Sequence, residues 1–128
     1  MASRIDALVI DCKDPARLAS FWCLALGFVV TETEDDDVFI GHPEREGWSI
    51  LFQVVPEARS VKNRLHLDLR APSSMESEVA RLEEAGARSL HLVDEGGSFW
   101  TVMADPEGNE FCVLRGPDDG WEPAAVQQ

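Results

Sequence analysis

Between Arg64 and Arg70 the residues alternate strictly, with Leu65, Leu67 and Leu69 apolar and His66, Asp68 and Arg70 ionisable, which is the two-residue period of a strand. Such a strand turns its leucines to one face, to pack under whatever covers the sheet, and its ionisable side chains to the other. On a flat, open sheet that second face is ordinary solvated surface. On a curled sheet it lines a pocket. Apolar runs bounded by turn residues predict further strands over 5–12, 28–33, 38–41, 48–55, 87–93, 99–103 and 110–114.

Two segments carry the helical period instead. Asp14-Pro15 supplies an N-cap and a proline at the first helical position. Leu18, Phe21, Trp22, Ala25 and Leu26 then recur at three- and four-residue spacing up to Gly27, a C-terminal stop. The second helix starts from the S-x-x-E capping box Ser73-Ser74-Met75-Glu76. Met75, Val79 and Leu82 form its apolar stripe, Glu76, Glu78, Glu83 and Glu84 its wetter face, and Gly86 its end. The acidic run Glu34-Asp35-Asp36-Asp37 reads as a solvated turn, because like charges repel inside a packed element. It lacks the glycine and distal glutamate of a calcium loop.

The order strand, helix, three strands therefore occurs twice, which suggests an internal repeat. Superimposing Gly27 on Gly86, an offset of 59 residues, places Ala7 on His66, Leu8 on Leu67 and Ile10 on Leu69. Near the end of each half, His42-Pro43-Glu44 matches Asp105-Pro106-Glu107, Gly47 matches Gly108, and Leu51 falls on Cys112. The pattern predicts an α+β fold of two βαβββ modules, about 4–56 and 63–115, forming a curved mixed sheet around a central cleft with one helix per module on the outer face. A domain over 1–116 is expected, then a mobile tail over 117–128 that Trp121 could anchor.

Composition narrows the function classes. A chain of 128 residues with 45% hydrophobic content makes one domain with a proper core. The N-terminus does not read as a signal peptide and no run is long enough to span a membrane, so a cytoplasmic protein without a membrane partner is expected. Cys12, Cys23 and Cys112, odd in number and without CxxC spacing, read as reduced thiols. A net charge of −13 disfavours nucleic acid and suits solubility or a cationic ligand.

The motifs D-P-x-R-L-x-x-F-W-x-x-x-L-G-F at Asp14 to Phe28, R-L-H-L-D-L at Arg64 to Leu69 and D-P-E-G-N-E-F at Asp105 to Phe111 resemble the vicinal oxygen chelate superfamily. That group holds glyoxalases, bleomycin-resistance proteins and extradiol dioxygenases. The similarity is greatest to its glyoxalase-like domain branch and runs from Ile5 to Arg115. The resemblance implies a homodimer and one divalent metal held by His with Glu or Gln from both halves, at positions that fall here on Ala7, Leu51, His66 and Cys112. Ala7 and Leu51 offer no donor atom, so the usual metal site is expected to be lost. A rebuilt set would draw on His66, Cys112 and Glu110. Asp68, Asp11 and Gln53 share the pocket parity.

The expected site has His66 and Asp68 as catalytic residues, a same-face pair whose carboxylate can orient or protonate the imidazole. Asp11, Gln53, Arg70, Trp48, Trp100, Glu110 and Cys112 are expected to bind ligand, the two tryptophans by stacking on a planar group. Arg70 could instead make a structural ion pair, and Cys112 could be a buried hydrophobe. The leading expectation is a glyoxalase-like small-molecule-binding protein with a degraded metal site, sequestering its ligand or catalysing metal-independent chemistry. The alternative is a divalent-metal-dependent lyase, isomerase or dioxygenase with the rebuilt ligand set.

Overall fold

The carboxylate of Asp14 accepts a hydrogen bond from the Arg17 backbone N–H at 3.2 Å and so caps helix α1, Pro15–Leu26. Gly27, at φ +70°, closes the helix in the left-handed conformation that glycine adopts without strain. The computed structural model describes all residues except Ser3, Arg59, Lys62 and 124–128. The chain forms two units, Met1–Val61 and Lys62–Gln128.

In the first unit, β1 (Ala7–Cys12), β2 (Val29–Glu34), β3 (Asp37–Gly41) and β4 (Ser49–Val54) make a sheet of order β1-β4-β3-β2. The β1–β4 pair is parallel and the others antiparallel. Helix α1 packs over β2, β3 and β4. It presents Leu18, Phe21 and Trp22 to a core containing Val38, Ile40, Ile50 and Phe52. The acidic run forms the β2–β3 hairpin turn, with Asp35 at φ +52°.

The second unit repeats the plan with β5 (Leu67–Arg70), helix α2 (Met75–Glu84), β6 (Arg88–Glu95), β7 (Ser98–Ala104) and β8 (Glu110–Leu114), in the order β5-β8-β7-β6. Here β5 and β8 are parallel. Helix α2 packs over β6, β7 and β8, and Leu82, Met103, Phe111 and Val113 are fully buried. The α+β class and the repeated βαβββ order match the sequence reading. The repeat extends to hydrogen bonding in the turn before each last strand. In the first unit His42 Nδ1 accepts the N–H groups of Glu44 and Arg45 at 3.0 and 3.1 Å. In the second, Asp105 Oδ1 accepts those of Glu107 and Asn109, both at 2.9 Å.

Three local expectations are corrected. The central strand begins at Leu67, and Leu65 is 81% exposed rather than packed. β5 is the edge strand of its sheet, beyond the strands that α2 covers. The cap of α2 is Ser74, whose hydroxyl accepts the Ser77 N–H at 3.1 Å, one residue later than expected. Ser73 instead gives its carbonyl to the N–H of Asp118 at 2.9 Å. Glu78 is buried, not on the wet face, because it lies three residues from Met75 and four from Leu82 and so shares their stripe. Arg81 makes the burial tolerable with a two-point bridge, 2.8 Å at both contacts. Hydrogen bonding to Glu78 pushes the Arg81 pKa up.

The tail begins with a 3-10 turn, Pro117–Asp119. The Asp119 carboxylate accepts the N–H of Met75 at 2.7 Å and that of Gly116 at 2.9 Å, so it supplies the first turn of α2 with a second cap. These bonds, Gly116 first and Met75 second, hold the Asp119 pKa below the ordinary carboxylate value. Trp121 lies under the Arg70 guanidinium, 4.1 Å from its ring centre. Residues 124–128 of the expected tail lie outside the described residues.

Candidate functional site

The face of the second sheet away from α2 is set by ladder register. Asp68 on β5 stands opposite Cys112 on β8, and Cys112 in turn opposite Val102 on β7. Leu114 faces Trp100 in the same way. A cavity of about 450 Å³ opens on this face, lined by His66, Asp68, Trp100, Val102, Glu110 and Cys112, among others. Its volume suits a small organic molecule.

Three of these side chains bring polar atoms close together. His66 Nε2 lies 3.3 Å from Asp68 Oδ1, with the two side chains 48% and 53% exposed. Cys112 is buried, and the nearest ligand atoms of His66, Asp68 and Cys112 all lie within 4.8 Å of one another. Glu110 adds a carboxylate whose Oε2 is buried and has no hydrogen-bond partner among the described residues. An acceptor stripped of water without a partner costs roughly 1–3 kcal/mol, more when charged, and calls for a donor from a ligand or an ion.

The structure thus brings together His66, Asp68, Trp100, Glu110 and Cys112 of the expected site. Arg70 is not among the lining residues: it donates through Nη1 to the Arg115 carbonyl at 2.8 Å and stacks on Trp121. Asp11 and Gln53 stand opposite each other on β1 and β4, and Trp48 precedes β4 and is 48% exposed. These three belong to the first unit, whereas the cavity is built from the second alone. Ser98 and Val102, which also line it, were missed. The parity of Trp100 on the same strand would have found both.

The metal pattern of the vicinal oxygen chelate superfamily does not fit this chain. Ala7 and Leu51, on β1 and β4, contribute no ligand atom from the first unit. Among the described residues, the donors that do converge come from the second unit, and they join Asp68, rather than Glu110, to His66 and Cys112.

Comparison with known proteins decides the family. The sequence profile described as "Glyoxalase-like domain" matches residues 7–114. The chain belongs to the glyoxalase-like domain family. No curated protein sequence matches this glyoxalase-like chain significantly. Solved structures resemble its fold at low identity. A hypothetical protein from S. aureus has a TM-score of 0.68 at 18% identity, covering 90% of this chain and 95% of its own. A glyoxalase/bleomycin resistance protein/dioxygenase family enzyme from Burkholderia phytofirmans PsJN gives 0.70 at 16%, covering 87% and 97%. The fosfomycin resistance protein FosX from Listeria monocytogenes, complexed with Mn(II) and 1S,2S-dihydroxypropylphosphonic acid, gives 0.72 at 13%, covering 91% and 92%. No helix among the described residues is long and apolar enough to cross a membrane.

Proposed function

We propose that this glyoxalase-like protein is a cytoplasmic homodimer that sequesters a small organic molecule in the second-unit cavity, without the two-half metal centre of its superfamily. The observation that carries the reading is the His66–Asp68 pair, 3.3 Å apart and solvent-accessible, in a cavity whose lining also includes the apolar Trp100, Val102 and Leu114. A few convergent polar groups on an apolar wall give a ligand its orientation, while the wall gives most of the affinity. Asp68 Oδ1, 3.3 Å from His66 Nε2, is close enough to orient the imidazole toward a bound ligand. Trp100 offers a flat face for a planar ligand. One solved structure of this fold is named a fosfomycin resistance protein and holds a small phosphonic acid, and a cavity of about 450 Å³ has room for a molecule of that size.

Thermal-shift screening with a library of aromatic antibiotics and small carbonyl compounds, in the presence of EDTA, tests this. A ligand that raises the melting temperature of the native protein should lose its effect in His66→Ala and Asp68→Asn, whose own melting temperatures should match the native value. Leu67→Ala, on the other face of the same strand, should lower stability by about 2 kcal/mol and keep the ligand effect. Equal stabilisation of the native protein and both pocket variants would refute the assignment.

The homodimer rests on the size of the chain and on apolar side chains left at the sheet edges, Val29 and Val30 on β2 and Leu90 and Leu92 on β6. Sedimentation equilibrium should give twice the chain mass. A single monomeric species at tens of micromolar, roughly the working range of ordinary dimers, would remove this part of the proposal.

A further inference from the structure

The spacing of the polar atoms in the second-unit cavity carries more than ligand hydrogen bonding. A charge-assisted bond between imidazolium and carboxylate settles at about 2.7–2.9 Å, yet His66 Nε2 and Asp68 Oδ1 stand 3.3 Å apart. That separation matches the edge of a metal-centred tetrahedron. With metal–nitrogen and metal–oxygen bonds of about 2.0–2.2 Å at tetrahedral angles, the two ligand atoms lie about 3.3–3.5 Å apart. Cys112 stands opposite Asp68 on the neighbouring parallel strand, and all three ligand atoms lie within 4.8 Å of one another. A thiolate edge of such a tetrahedron is about 3.6 Å, so side-chain rotation of about 1 Å completes it.

We infer that His66, Asp68 and Cys112 form a metal site for a thiophilic divalent ion of the zinc type, contained entirely in the second unit. The donor set selects the ion. Imidazole and thiolate prefer zinc and its neighbours to magnesium or calcium, which favour oxygen ligands. A thiolate and one carboxylate balance the double charge. Three protein ligands leave a fourth position for a small molecule in the cavity. Glu110, whose buried Oε2 lacks a hydrogen-bond partner among the described residues, lines the same cavity and offers an acceptor to a molecule bound there. The site differs from the superfamily arrangement, in which both halves supply ligands. It deepens the reading of this cavity as the ligand site.

Cobalt(II) reports such a site directly, because a thiolate ligand gives a near-ultraviolet charge-transfer band and tetrahedral geometry gives strong visible bands. Chelator-stripped, reduced protein titrated with cobalt(II) should show both, saturating at one equivalent and bleaching when zinc is added. Cys112→Ser should lose the charge-transfer band. Asp68→Asn, a change at an exposed side chain that leaves folding intact, should weaken binding by about 100-fold or more, as should His66→Ala. Absence of saturable cobalt spectra, or spectra unchanged in Cys112→Ser, would overturn the inference, as would native affinity in Asp68→Asn. The antibiotic and carbonyl screen runs in EDTA. Loss of the cobalt signal with a persisting His66-dependent thermal shift therefore removes the metal site and leaves the small-molecule reading. A cobalt site without any thermal shift does the reverse.

Discussion

Replacing Asp105 with alanine is expected to lower the stability of the protein by about 3 kcal/mol. The residue is 2% exposed, in the turn between β7 and β8. Its Oδ1 accepts the backbone N–H groups of Glu107 and Asn109 at 2.9 Å, and the Asn109 side-chain amide bonds to both carboxylate oxygens, at 3.2 and 3.0 Å. Hydrogen bonds to a charged group contribute roughly 1.5–3 kcal/mol each when broken singly, and bonds within one network do not add. Alanine leaves two backbone donors facing the gap. Asp105→Asn keeps one acceptor oxygen and loses the charge, so it should cost about 1 kcal/mol. Urea denaturation of the three proteins provides the measurement. A loss below about 0.5 kcal/mol for alanine, the range of ordinary surface changes, would show that the turn is held by other means. The consequence reaches the cavity, since β8 starts at Glu110 and carries Cys112 two residues later. The first unit holds its matching turn with His42 Nδ1 as the acceptor, which explains how histidine and aspartate can occupy equivalent places in the two halves.

What could be read from the sequence was local or periodic. Asp14, Pro15 and Gly27 mark the ends of α1 because caps act within one turn of the chain. The parity of the strands carrying His66 and Cys112 brought out His66, Asp68, Glu110 and Cys112, since strand side chains alternate until a bulge, whereas Trp100 was named only as an aromatic ring at a strand start. What could not be read depended on partners far along the chain. Arg70 has the same parity as His66, but Trp121 and the Arg115 carbonyl take its guanidinium. Leu65 obeys the alternation and is still exposed, because alternation identifies a face and not what covers it. Glu78 looked like surface by its charge, and its spacing from Met75 and Leu82 held the better signal. The second cap of α2 comes from Asp119, 44 residues beyond Met75, and no pattern near the helix announces it.

Gly116→Ala should be at least as damaging, because the added methyl has nowhere to go. A Cβ built on Gly116 would fall on the Ser73 carbonyl oxygen and would lie 2.7 Å from that of Ala71. Both obstacles are backbone, so no side-chain rotation relieves them, and the segment joining β5 to α2 or the start of the tail must move. Overpacking of this kind costs typically 1–3 kcal/mol, occasionally more, and about 3 kcal/mol is expected here. The movement also pulls apart the junction that Gly116 organises: its N–H donates to Asp119, its carbonyl accepts from Asp119 and Trp121, and Asp119 caps Met75. Acid provides an independent reading of the same junction. The Asp119 pKa is lowered in the folded protein, so its stabilisation is complete above the ordinary carboxylate pKa of about 3.9 and is lost as pH falls through the folded value. The native protein should therefore lose this contribution on acidification below about pH 4. Gly116→Ala, with the cap already displaced, should lose less over the same interval. Urea melts at neutral pH and across the acid range measure both effects. Native stability in the variant would show that the chain between Ala71 and Ser73 yields freely and that the tail is not fixed by this contact.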